Sequence, residues 1–61
     1  MRDIKFKHKE TGNFYILEKV INEYGLDIVI YTDDIFPKAP TRRYARDLYK
    51  FLDKMELIKD N

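Results

Sequence analysis

Asp33-Asp34 is the one adjacent pair of carboxylates in this chain, and His8 is its one histidine. Paired carboxylates do general acid–base work when they converge on a shared proton. Successive side chains of an extended backbone diverge instead, so capping a turn or loop suits Asp33 and Asp34 better. A zinc ion held by His8 would need three carboxylate or water ligands beside it, because the chain has no cysteine. Serine is absent as well, which removes the usual nucleophiles, and two isolated glycines make no phosphate-cradling loop. His8 reads as a hydrogen-bonded strand residue. The expectation is a protein that is not an enzyme and carries no metal or cofactor.

Basic and aromatic side chains form the more informative set. Lys5, Lys7 and Lys9 alternate near the start, and Arg42, Arg43 and Arg46 cluster later, with Tyr15, Tyr44 and Tyr49 available between and beside them. Cationic side chains interleaved with aromatic rings can hold a single strand of nucleic acid by phosphate contacts and base stacking. The same mixture suits an acidic protein partner, since Arg and Tyr are enriched where interfaces are strongest. Core packing accounts equally well for several of the tyrosines. The charge balance decides between the partners. Twelve basic and eleven acidic side chains leave +1, less basic than a dedicated nucleic-acid binder, so a protein partner is favoured and nucleic acid is second. The candidate binding residues are Lys5, Lys7, Lys9, Arg42, Arg43, Arg46, Tyr44 and Tyr49.

The elements that position these residues follow from periodicity. Residues 3–9 alternate Ile4, Phe6 and His8 against Lys5, Lys7 and Lys9, a half-buried strand. Gly12-Asn13 marks a turn. Residues 14–21 fit two templates, the helix narrowly better by count. Phe14, Leu17, Val20, Ile21 and Tyr24 make a helical stripe ending at Gly25, whereas a strand puts Tyr15, Leu17 and Ile21 on one face. "NEYGLD" is a second turn and the β-branched run 27–32 a strand. Pro37 and Pro40 break regular structure through 33–41, where Ile35 and Phe36 are expected to tuck into the core. From Thr41 two templates compete again. One is an amphipathic helix through Tyr44, Leu48, Phe51, Leu52 and Met55, with Thr41 as N-cap. The other is a strand, a helical turn and a last strand.

At "KHKETGNFYIL" the sequence resembles a family of short phage and bacterial proteins of unknown function, whose expected fold is an SH3-like β-barrel. The matching steps are Lys7-His8-Lys9, Thr11-Gly12, Tyr15 and Leu17, Val29-Ile30-Tyr31, Tyr44-Ala45-Arg46 and Phe51-Leu52-Asp53-Lys54. They run in order along almost the whole chain, although each is short. Asp47 and the proline-rich 33–40 loop depart from the pattern, which bears on the course of 33–41. The resemblance implies an accessory protein acting on a host macromolecule, modulating host defence or gene expression. A second resemblance, of "ARDLYKFLDKMELIK" to the recognition helix of winged-helix DNA-binding domains, implies a transcription regulator. Against it, Pro37 falls inside a required helix, and Phe51 would face solvent.

Sixty-one residues suit one domain, 1–61. The expected fold is mostly β, a five-stranded SH3-like barrel with a helical turn near 47–52. The alternative is an α+β winged helix-turn-helix with helices near 14–24 and 42–56. In the barrel reading Phe6, Leu17, Ile28, Ile30, Leu48 and Leu52 are buried. No apolar leader or membrane span is read, so a cytoplasmic setting is expected, in the host if the chain is phage-encoded. Self-association stays open.

Overall fold

The computed structural model describes residues 4–34 and 42–58. The expectations placed on Ile35, Phe36, Pro37, Pro40 and Thr41 lie outside the described residues. Five strands and one helix follow one another as β1 (Lys5–His8), β2 (Phe14–Glu23), β3 (Leu26–Asp33), β4 (Arg43–Asp47), α1 (Leu48–Lys54) and β5 (Met55–Ile58). They form one antiparallel sheet in the order β4-β3-β2-β1-β5. The first four strands lie side by side in chain order, and α1 then carries the chain across so that β5 pairs with the free side of β1. The mostly β expectation holds, with helix confined to a stretch that overlaps 47–52. The winged helix-turn-helix alternative does not hold: 14–23 is a strand, and 42–56 divides among β4, α1 and the start of β5. The edge strands β4 and β5 are not paired with one another, so the sheet is open.

Local chemistry explains the turns. The β2–β3 hairpin closes through Tyr24 and Gly25, both at positive φ, 52° and 78°. That is the type I′ pattern, whose twist matches that of the flanking strands. Helix α1 starts where Asp47, in extended conformation, accepts the backbone N–H of Lys50 on its side chain at 2.9 Å. This side-chain cap serves one of the first-turn donors that no helical carbonyl can reach. The helix ends when Met55 returns to extended backbone and joins β5.

The core sits between α1 and one face of the sheet. Phe6, Val29, Tyr31, Phe51 and Met55 are buried, with Tyr15, Leu17, Tyr44 and Leu48 packed around them. The Phe51 ring stands edge-on to Phe6 at 4.7 Å and 5.0 Å from Tyr31. These contacts correct part of the expected core. Phe6 is buried as anticipated, and Leu17 and Leu48 are half-buried against it. Ile28 and Ile30 lie on the opposite face, because the register that pairs Tyr31 with Leu17 and Tyr44 turns Val29 and Tyr31 toward the helix. Leu52 is 52% exposed, since the one buried side of this seven-residue helix is set by Leu48 and Phe51.

Candidate functional site

The pleat and the strand order divide the predicted basic residues. Lys5 and Lys7 lie on β1, on the face away from Phe6 and α1, as the alternation predicts. Arg43 lies on that same outer face of β4, and Arg46 on the helix side. Arg42 precedes β4 and is exposed. Between β1 and β4 run β2 and β3, so the lysine and arginine groups are about 14 Å apart at the usual strand spacing. They do not form one patch. Lys5 pairs with Asp34 at 3.2 Å, and Arg43 with Glu18, so acid offsets base at both positions. Neither Asp34 nor Glu18 stood out in the sequence as a partner for these cations. Strand register and the bulge in β2 bring them into reach.

Lys9 serves a local role. The loop between β1 and β2 is organised by His8, whose Nδ1 accepts the backbone N–H groups of Glu10 at 3.1 Å and Thr11 at 3.3 Å. Gly12, at φ 77°, donates its N–H to the His8 carbonyl at 2.9 Å. Shaped this way, the loop reaches the end of α1. The Lys9 backbone N–H donates to the Lys54 carbonyl at 2.9 Å, and Lys9 Nζ donates to the Asp53 carbonyl at 3.1 Å. A cation at a helix C-terminus meets carbonyls that lack helical donors and the negative end of the helix dipole. Lys54 Nζ returns to Glu10 Oε1 at 3.2 Å, and this cation holds the Glu10 carboxyl below its usual range. His8 is thus the hydrogen-bonded residue that its neighbours suggested, accepting through Nδ1.

The tyrosines separate too. Tyr15, Tyr31 and Tyr44 pack directly on one another, with Tyr15 edge-on to both neighbours at 5.3 and 5.8 Å and Tyr31 stacked on Tyr44 at 5.3 Å. Their faces are taken up by each other, so Tyr15 and Tyr44 do not stand as open stacking platforms. The Tyr44 hydroxyl donates to Asp33 Oδ2 at 3.2 Å. Partial burial, then this bond and the carboxylate's charge, push the Tyr44 hydroxyl above its usual pKa. Asp33 and Asp34 turn to different partners, Tyr44 and Lys5. Tyr49, on α1, is 82% exposed.

What remains together is the segment through β4 into α1. Arg43 and Arg46 lie on the edge strand β4 with Arg42 just before it, and the exposed ring of Tyr49 follows in α1. An edge strand offers unpaired backbone donors and acceptors to an added strand. Among the described residues, no three His, Asp or Glu side chains converge as a metal site would require, and no helix is long and apolar enough to cross a membrane. No known family model, curated protein or solved structure matches the chain.

Proposed function

We propose that this chain is a non-catalytic binding module whose partner is a protein, taken along the β4 edge. The observation that carries this reading is the division of the basic residues. A nucleic-acid groove needs a continuous cationic track, whereas here Lys5 and Arg43 are matched by Asp34 and Glu18 and stand on strands far apart. Strand β4 carries Arg43 and Arg46, with Arg42 just before it, along what is a sheet edge among the described residues. An acidic extended segment would add to that edge by backbone hydrogen bonds while its carboxylates meet the arginines. The strand order, with a short helix before a last strand that returns to the first, also supports an SH3-like barrel as the closed form of this sheet. The resemblance to short phage proteins supports an accessory role in the host cytoplasm, with a host protein of defence or gene expression as the partner.

Affinity capture from a bacterial lysate, with and without nuclease, tests the reading. Wild type should retain a protein whether or not nuclease is present, and the Arg42→Ala/Arg43→Ala variant should lose it. Micromolar or tighter binding to nucleic acid at physiological salt would transfer the function to that partner. Such binding would weaken steeply with added salt, and the double substitution would flatten that slope. Equal retention by wild type and variant would show the arginines to be a solvated edge.

A further inference from the structure

A backbone N–H group only donates, so a ring nitrogen that receives two of them must carry a free lone pair. In the β1–β2 loop that atom is His8 Nδ1, 3.1 Å from the Glu10 nitrogen and 3.3 Å from the Thr11 nitrogen. The imidazole is therefore neutral, with its proton on Nε2. A second proton, taken from water onto Nδ1, would fill the lone pair and set one donor against two others. We infer that this loop is a proton-operated latch: neutral His8 holds it closed against the end of α1, and protonated His8 releases it.

The residues that the ring gathers are those that reach the helix. The Lys9 backbone N–H donates to the Lys54 carbonyl at 2.9 Å, Lys9 Nζ donates to the Asp53 carbonyl at 3.1 Å, and Glu10 Oε1 receives Lys54 Nζ at 3.2 Å. Two further bonds do not use the ring. The His8 N–H donates to the Asn13 carbonyl at 2.8 Å and the Gly12 N–H to the His8 carbonyl at 2.9 Å, so β1 and β2 stay joined when the latch opens. Glu10 and Thr11 are exposed, and their freed N–H groups pass to water. The charged groups around the ring are Lys9 and Glu10 in the loop and Asp53 and Lys54 at the end of α1. On its flanks β5 sets Met55 beside His8, and β2 brings Asn13 and, on the helix side, the Tyr15 hydroxyl. Lys7 and Glu56 alternate to the opposite face. Two cations and two anions balance, so the hydrogen-bond geometry sets the response.

Histidine is the side chain whose charge changes between about pH 5 and 8. Glu10, held below its usual range by Lys54, stays ionised there, so this window isolates the ring. Heteronuclear NMR of the full chain tests the latch. At about pH 8 the ring nitrogen shifts should report the tautomer protonated on Nε2. As the pH is lowered to about 5, the Glu10 and Thr11 amides should shift with the same midpoint as the His8 ring. Protection of the Lys9 amide against exchange should fall about tenfold over that step, while the amides of β3 and β4 stay fixed. His8→Asn offers an uncharged oxygen near the position of Nδ1 and should keep Lys9 protected throughout. Glu10→Gln removes the ion pair with Lys54 and should retain the step. Should His8→Asn fail to fold, the wild-type titration decides alone. A proton on Nδ1 at the upper pH, loop amides indifferent to the ring, or a step that survives His8→Asn would overturn the proposal.

Discussion

Tyr24 holds a backbone conformation that its side chain disfavours. At φ 52° its Cβ crowds the carbonyl, a position tolerated by Gly, Asn and Asp and uncommon for bulky residues. The ring gives nothing back, since Tyr24 is fully exposed. Tyr24→Asn should therefore stabilise the protein by about 0.5–1 kcal/mol, creating the Asn-Gly pair that two-residue hairpins favour. A melting temperature raised by a few degrees with unchanged circular dichroism is the expected result, and a lowered one would show that Tyr24 has a packing role. Gly25 made this turn legible in the sequence. The fate of single cations was less so. Their spacing put Lys5 and Lys7 on one face, as found, but gave no sign that Lys9 would close a helix end or that Glu18 would meet Arg43. Those pairings depend on residues more than twenty positions away.

Strand β2 shows how an element can resemble another. Leu17 pairs with Tyr31 and Lys19 with Ile30, so Glu18 is an extra residue, a bulge. The bulge resets the alternation, leaving Leu17 and Val20 on one face and Ile16, Lys19 and Ile21 on the other. A spacing of three between Leu17 and Val20 imitates a helical repeat, which is why this stretch fits both templates. The stripe from Tyr44 to Met55 has another origin. Its Leu48 and Phe51 belong to a real but short helix, while Met55 opens the strand after it and Tyr44 enters the same core from the strand before it. The contact between the β1–β2 loop and α1 leads to a pH dependence. The Glu10 carboxyl is held low by Lys54, so its contribution is present above the ordinary carboxylate pKa and lost as pH falls through the lowered folded value. Glu10→Gln should thus lower the melting temperature slightly at neutral pH. The difference from wild type should vanish in acid and shrink in high salt, because the pair is exposed. A gap between the two proteins that persists at pH 2–3, below both carboxylate values, would rule out this ion pair as its source.

At the scale of the whole molecule, the five strands and the short helix were legible along the chain, their order in the sheet was not, and the direction of the core was only partly so. Strand β3 is apolar on both faces, Ile28 and Ile30 on one and Val29 and Tyr31 on the other. Hydrophobicity alone favours the isoleucines, yet α1 covers Val29 and Tyr31. Tertiary register made that choice, through Phe51 lodged against both Phe6 and Tyr31. The adjacent leucine gives a sharp test. Phe51 is 1% exposed and Leu52 is 52% exposed, although both fit the apolar stripe of the sequence. Truncating a buried Phe costs about 3–5 kcal/mol, which equals the whole net stability typical of so small a domain. Phe51→Ala should accordingly unfold the protein at room temperature, seen as loss of near-ultraviolet dichroism and a featureless amide spectrum. Leu52→Ala should stay folded, with a midpoint in urea displaced by no more than the small shift common to surface substitutions. Equal losses from the two substitutions would mean that α1 presents a different side to the sheet, and the core described above would have to be redrawn around Leu52.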